Sequence, residues 1–297
     1  MKETLREYCL NLNIDSVGIA PIGPYGELKK ILMARVNSNH LTGLEEQNIE
    51  LRIDPKLTMA EAKSIIVCLF PYYICEQLES NLSKYTYGKD YHIVIKEKLD
   101  SIGQFLTNKI EGFKFQSYVD TGPLSDRYLA YLAGLGYFGI NSHIITDKYG
   151  SYVFIGYIIN NYYFEPDKPI EKTCIKCCDC IKMCPGQIIL GNFDIDPRMC
   201  RAYITQIKRE LSDDEVEVLK KGTLIYGCDI CQEVCPHNKY IHTTNIDEFK
   251  ENLIVNLNEE ELRNISNKEF IRRYKDRAFA WRGKNVLLRN LEIMKNK

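Results

Sequence analysis

The 297-residue chain has almost no excess of either charge, 39 Lys and Arg against 40 Asp and Glu, and it holds a single Trp and five His. A net charge of −1 excludes binding nucleic acid by bulk positive charge and leaves only a local patch for that purpose. No apolar run approaches the roughly 20 residues needed to span a membrane, so no membrane partner is expected. Met1 to Glu7 is charged and lacks an apolar h-region, which predicts no secretory signal and a cytoplasmic location. A Walker-type loop, H-E-x-x-H and G-x-S-x-G are all missing, which removes the readiest signatures of nucleotide hydrolases, zinc proteases and serine hydrolases. There is no repeat of solenoid period and no low-complexity tract. At 45% hydrophobic and 27% charged, the composition is that of a folded protein, and the length favours two domains.

What the chain does have is cysteine. It carries twelve, nine of them between Cys174 and Cys235. Clustering of this kind without a signal reads as metal rather than as disulfides. The first run, Cys174-x2-Cys177-x2-Cys180-x3-Cys184-Pro185, has the spacing of bacterial two-cluster ferredoxins. Three thiolates on a tight loop reach one cubane; the fourth, followed by proline at a helix start, points to the other cluster. The second run, Cys228-x2-Cys231-x3-Cys235-Pro236, is one cysteine short, and Cys200 between the runs supplies it. By this exchange Cys174, Cys177, Cys180 and Cys235 hold one 4Fe–4S cluster, and Cys184, Cys200, Cys228 and Cys231 the other. Structural zinc is the alternative, but zinc needs no x3-Cys-Pro ending, and here it occurs twice. Cys178 reads as a bystander. Cys9, Cys68 and Cys75 sit in apolar patterns and read as small core residues.

Around this stretch the chain divides into 1–165, a mixed α/β unit; 166–240, the cysteine-rich unit; and 241–297, a helical and basic segment. Helices are expected over Lys2–Leu12, Tyr91–Asn108 and Leu124–Leu135, and strands over Ile14–Ile22, Ser64–Phe70 and Phe113–Val119. His143–Thr146 and Ser151–Ile159 read as a hairpin around Asp147-Lys148-Tyr149-Gly150. From Glu261 onward there are 11 Lys and Arg against 4 Asp and Glu. Gly134-Leu135-Gly136-Tyr137-Phe138-Gly139 matches G-x-G-x-x-G, but a helix precedes it and strand-like sequence follows, the reverse of a dinucleotide site. Those glycines read as ending the helix and letting backbone approach something bulky. Asp90-Tyr91-His92 opens like the cobalt-ligating D-x-H-x-x-G motif and fails at Ile95.

Longer motifs run through nearly the whole chain. They include Glu46-Gln47-Asn48-Ile49-Glu50-Leu51-Arg52, Tyr87-Gly88-Lys89-Asp90-Tyr91-His92 and Val119-Asp120-Thr121-Gly122-Pro123-Leu124-Ser125-Asp126-Arg127. Ala133-Gly134-Leu135-Gly136, Tyr149-Gly150-Ser151-Tyr152-Val153, Ile225-Tyr226-Gly227-Cys228-Asp229-Ile230-Cys231-Gln232 and Trp281-Arg282-Gly283-Lys284 follow in order. In these the chain resembles the cobalamin-dependent epoxyqueuosine reductases of tRNA modification. The resemblance implies an α+β architecture: a nitroreductase-like α/β cobalamin-binding domain, a bacterial two-4Fe–4S ferredoxin-like domain and a short helical C-terminal segment. It implies two 4Fe–4S clusters that reduce base-off cobalamin, and removal of the epoxide oxygen of epoxyqueuosine at the tRNA wobble position. Asp120 matches the family's proton donor. Arg52, Asp120, Ile144, Ile155, Gly227, Cys228 and Asp229 match its cobalamin contacts, several through backbone, and Lys208 matches a tRNA contact, with Arg282 and Lys284 as further candidates.

The implied partners are the anticodon stem-loop of tRNA and a low-potential electron donor, with the protein a monomer. Asp120 taken alone reads as a helix N-cap, and as a proton donor near neutral pH it needs its pKa raised by burial. Two departures stand out: Gly139-Ile140-Asn141 replaces Gly-Lys-Asn, and the C-terminal helical repeats of many relatives are expected to be absent. The competing readings are a corrinoid iron–sulfur reductase of another small substrate, dehalogenase-like, and a ferredoxin-like electron carrier.

Overall fold

The structure, a computed structural model, describes residues 1–74 and 78–296. Cys75 therefore lies outside the described residues. Helix α1 (Lys2–Asn11) leads into strand β1 (Ser16–Ala20), followed by α2 (Gly26–Asn37) and the short α3 (Ile49–Ile53). Strand β2 (Ser64–Pro71) precedes the long α4 (Tyr91–Thr107), β3 (Phe115–Val119) and α5 (Asp126–Leu132). The short β4 (Tyr137–Phe138) and β5 (Ile144–Ile145) come before β6 (Val153–Asn160). Strands β1, β2, β6 and β3 form one antiparallel sheet in that order, with Val67 opposite Tyr157 and Val119 opposite Gly156.

The sheet is covered on both faces, which explains the unbroken apolar run of β2. Its Ile66, Cys68 and Phe70 pack with Leu5 and Cys9 of α1 and with Ile95, Leu99 and Ile102 of α4. The alternate residues Ile65, Val67 and Leu69 pack with Leu28 and Leu32 of α2 and Leu129 of α5. Alternation across a pleated strand thus sends one β2 register to each core. Cys9 and Cys68 are fully buried core thiols.

The expected hairpin over 143–159 is not formed. Ile144 and Ile145 pair back with Phe138 and Tyr137, whereas Val153–Asn160 is a central strand of the main sheet; Thr146 and Gly150 share one isolated bridge. Burial on both faces drew β6 between β2 and β3 and left the turn residues to close a local loop.

The cysteine-rich segment contributes α6 (Asp179–Met183), the small ribbon of β7 (Ile189–Gly191) and β8 (Asp194–Ile195), α7 (Arg201–Ile204), α8 (Asp213–Lys220) and α9 (Ile230–Glu233). Helices α6 and α9, one from each cysteine run, pack together. Cys235-Pro236 opens a 3-10 turn over Pro236–Asn238, but Cys184-Pro185 leads into a plain turn, not the helix expected there. The chain ends in α10 (Glu259–Asn264), α11 (Asn267–Tyr274) and α12 (Lys284–Lys295).

The three expected segments share cores rather than standing apart. Leu82 from the first, Tyr226 from the second and Phe270, Phe279 and Leu287 from the third form a single cluster. Ile246 and Phe249 join the core beneath α4. Asn290 on α12, fully buried, donates to the carbonyls of Thr205 and Ile225, both at 2.8 Å.

Candidate active site

The cysteines come together from both runs. Cys174, Cys177, Cys180 and Cys235 line one cavity, with Ile140 and His237 in the same wall. Burial pushes the Cys180 thiol up to about 11, and its neighbours Cys235, Cys177 and Cys174 add to the shift. Cys231 is pushed well above the ordinary thiol range by burial and then by Cys228, Cys200 and Cys184, with Cys180 a weaker neighbour from the other set. Thiols crowded this way become thiolates only around a cationic core, which is how a metal cluster binds. Among the described residues, no three His, Cys, Asp or Glu side chains close on one point as a single metal ion requires. Four thiols around one cavity, drawn from two runs with ferredoxin spacing, suit a multi-iron core. His237 lines the same cavity, and its Nε2 is buried with no hydrogen-bond partner among the described residues. Cys178, in a left-handed conformation, donates its thiol to the Lys176 carbonyl and lines no part of this cavity.

Asp120 follows β3 at the sheet's edge. It sits in the left-handed region (φ 55°), where the backbone turns away from the strand. The turn is moulded on Tyr157 of β6, whose hydroxyl accepts from Leu124 N at 3.2 Å. The N-cap of α5 is Ser125, so the capping reading of Asp120 does not hold. Its carboxylate accepts from the Tyr91 hydroxyl at 2.8 Å and pairs with His92 Nε2 at 3.4 Å; His92 Nδ1 in turn stands 2.8 Å from Asp90. Burial pushes the Asp120 carboxyl up, but the bonds from His92 and Tyr91 outweigh it and leave the pKa lowered. This corrects the expectation of a raised value. Burial pulls His92 down, yet Asp120 and Asp90 outweigh that and hold its pKa at about 9. The proton near neutral pH therefore rests on the imidazole, between two carboxylates, a partnership not apparent from the order of residues in the chain.

A loop joins this site to the thiols. Gly139, Ile140 and Asn141 line the first cysteine cavity, and Asn141 Nδ2 donates to the Cys231 carbonyl at 3.3 Å. Arg127, at the start of α5, donates to the Ser142 carbonyl at 2.7 Å. Ile140, where relatives are expected to carry Lys, is buried against the cysteines. Gly134 ends the α5 region with φ 67°, and a Cβ there would stand 2.4 Å from the Lys168 carbonyl; the bulky neighbour of the glycine motif is another stretch of backbone.

Arg52 on α3 lies within electrostatic reach of Arg35, Asp126 and Arg127, and no ion pair to Arg35, Arg52 or Arg127 is present among the described residues. Burial, then the Asp120 charge, pushes the Asp126 carboxyl well above its ordinary value. Asp126 Oδ1 and His143 Nδ1 are buried with no hydrogen-bond partner among the described residues. Ile144 and Ile155 share the core on that side of the sheet. Gly227 (φ 78°) brings its backbone against Ser83 and donates to Thr205 Oγ1 at 2.9 Å. Asp229, 2% exposed, accepts from Ser83 Oγ and from Lys84 N. The expected cofactor contacts thus form one group around Asp126 and another around Ser83. Tyr91 and Tyr85, in edge contact, lie between Asp120 and Tyr226, the neighbour of Gly227.

Of the expected nucleic-acid contacts, Lys208 is exposed, and Arg282 stacks on the Trp281 ring at 3.6 Å. Trp281 Nε1 donates to Gln206 Oε1 at 3.2 Å, which places Lys208 and Arg282 in one neighbourhood. Lys284 spends one donor on the Ile265 carbonyl at 2.5 Å.

Residues 173–238 match the family model of the 4Fe-4S double cluster binding domain, so the cysteine-rich segment defines an iron–sulfur oxidoreductase with two cluster sites joined to a mixed α/β layer. Residues 52–121, which span Arg52 to Asp120, match the model described as epoxyqueuosine reductase QueG, DUF1730. A curated epoxyqueuosine reductase of Staphylococcus aureus is 34% identical over 98% of this chain and 78% of its own length. The structure of epoxyqueuosine reductase from Streptococcus thermophilus superposes with a TM-score of 0.89 at 31% identity, covering 99% of this chain and 80% of that one. A crystal structure of an epoxyqueuosine reductase with an epoxyqueuosine-modified tRNA stem loop gives 0.89 at 35% identity over the same shares. The chain belongs to the epoxyqueuosine reductase family.

Proposed function

We propose that this protein reduces epoxyqueuosine to queuosine at the wobble position of tRNA, using two 4Fe–4S clusters and cobalamin. The reaction converts an epoxide to an alkene and consumes two electrons and two protons, with the oxygen leaving as water. The observation that carries the reading is the Asp90–His92–Asp120 relay, tied through Arg127 and the 139–142 loop to the cysteine cavity. No side chain supplies electrons at the potential that epoxide opening requires; cobalamin, when bound, supplies that reducing chemistry.

The residues facing the α5 side suit such a group. Among the described residues Arg35, Arg52 and Arg127 make no ion pair, and one Asp126 oxygen and one His143 nitrogen are unsatisfied; such a lining suits a ligand rich in amide donors and acceptors, which the periphery of a corrin is. Arg52, Asp120, Ile144, Ile155 and the Gly227–Asp229 backbone would hold it in a nitroreductase-like layer. Cys174, Cys177, Cys180 and Cys235 would hold one cluster, Cys184, Cys200, Cys228 and Cys231 the other. His92 holds a proton beside Asp120, and the pair delivers it to the departing oxygen. Tyr91 donates to Asp120 and keeps its carboxylate oriented.

The stem-loop would be held by Lys208 and Arg282, with Lys284 at the edge, and its base turned out of the loop toward Asp120. Expression in a bacterium lacking its own epoxyqueuosine reductase tests the reading. Mass spectrometry of tRNA hydrolysates should show queuosine restored; epoxyqueuosine persisting despite folded, iron-loaded protein would refute it.

A further inference from the structure

Arg201, the first residue of α7 and the neighbour of Cys200, is 2% exposed. Its guanidinium donates to three backbone carbonyls: Leu219 at 3.1 Å, Gly227 at 3.2 Å and Leu224 at 2.6 Å. The space is reserved for it, since a Cβ on Gly222 would stand 2.5 Å from Arg201 Nε. Carbonyls satisfy N–H groups but do not neutralise a full charge. No carboxylate pairs with Arg201 within 4 Å among the described residues. A buried guanidinium left without an anion is costly, and compensating negative charge nearby offsets that cost. Chain adjacency and hydrogen bonding place the guanidinium beside two expected ligands of the same cluster: Cys200 is its chain neighbour, and Cys228 follows the Gly227 carbonyl that it binds at 3.2 Å.

We propose that Arg201 is the built-in counter-charge of the cluster held by Cys184, Cys200, Cys228 and Cys231, and that it raises the reduction potential of that cluster alone. The inference rests on the cluster assignment above. One added electron makes a thiolate-bound cluster more negative, and a buried, unscreened cation stabilises that state more than the oxidised one. Exposed lysines near the other cavity, such as Lys176 and Lys182, are screened by solvent and cannot do the same. Electrons entering the protein therefore collect on the cluster next to Gly227 and Asp229, where the cofactor contacts are expected. The carbonyl contacts alone would make Arg201 a structural staple of the α8 end, and charge separates the two roles.

The test is an EPR-monitored redox titration of the iron–sulfur-reconstituted full chain without cobalamin, comparing Arg201→Met, Arg201→Lys and Gly222→Ala with the parent. Arg201→Met should lower one midpoint potential and leave the other unmoved, Arg201→Lys should restore it, and Gly222→Ala, which displaces the guanidinium, should give a smaller fall. If Arg201→Met fails to hold that cluster, Arg201→Lys must still hold it at the parental potential. Unchanged potentials in a fully loaded Arg201→Met protein, a shift of both together, or loss of the cluster in Arg201→Lys would overturn the proposal. A parent protein showing no pair of 4Fe–4S signals would instead overturn the cluster assignment.

Discussion

His92 Nε2 stands 3.4 Å from the Asp120 carboxylate, across from a strand end that holds Asp120 in a left-handed conformation. The pair shares a proton whose position is set by geometry: the carboxyl is lowered and the imidazole is held at about 9. General acids positioned this way contribute about 10²–10⁴-fold to rate. Asp120→Asn should lose turnover by a factor in that range while keeping its iron and cobalamin, read from single-turnover rates and metal content. Full activity in a loaded Asp120→Asn protein would remove the pair from proton delivery.

The same pair makes a pH prediction. Turnover that draws on the His92 proton should fall as pH rises through about 9. Asp120→Asn removes the leading bond that raises the imidazole, so His92 should titrate closer to its ordinary 6.5, as NMR of the ring would show. Because its folded pKa is raised, the His92 contribution to stability is complete below about 6.5 and is lost as pH passes about 9. An imidazole that titrates identically in parent and variant would contradict the pairing.

The cysteine grouping predicts how iron is lost. Cys174→Ala and Cys235→Ala act on one cavity, so the double variant should lose no more iron than either single one, about four of about eight. Cys174→Ala combined with Cys200→Ala should lose both clusters. Iron and sulfide analysis after anaerobic reconstitution separates the two patterns.

Part of this arrangement is legible in the chain and part is not. The runs in β2 and α4 and the cysteine spacing announce themselves because burial on fixed faces and ligand reach act over a few residues. Ile144 and Ile145 are misread because their partners, Phe138 and Tyr137, lie upstream of the turn that seems to direct them forward. The sign of the Asp120 shift is misread for a related reason: its environment comes from the start of α4, not from its own loop. Arg201 looks like an ordinary charge beside a cysteine, and only the folded chain shows that α8, the Gly227 turn and Gly222 enclose it. Across position 240 the apolar contacts are continuous: Ile246, Phe249 and residues of the last three helices pack with earlier parts of the chain, contacts that no local pattern announces.

Asn290 ties α12 to the cysteine-rich segment through two buried carbonyls, Thr205 and Ile225. Asn290→Ala leaves both unsatisfied and should cost about 1–3 kcal/mol per group at most. Denaturant unfolding of the reconstituted protein measures it, and a midpoint indistinguishable from the parent would show that the carbonyls find other partners.

Lys208 is exposed and free of ion pairs among the described residues. If it contacts a phosphate, Lys208→Ala should weaken stem-loop binding and lower the slope of log K against log salt by about one. An unchanged slope would place Lys208 outside the interface.

Removal of the epoxyqueuosine oxygen by these residues can be observed directly. The most direct measurement is a single turnover: purified protein, reconstituted anaerobically with iron, sulfide and cobalamin, reduced chemically and mixed with a stem-loop carrying epoxyqueuosine. Queuosine should appear by mass spectrometry, with none formed when cobalamin is omitted. Protein carrying both clusters and cobalamin that leaves epoxyqueuosine untouched would contradict the proposed function.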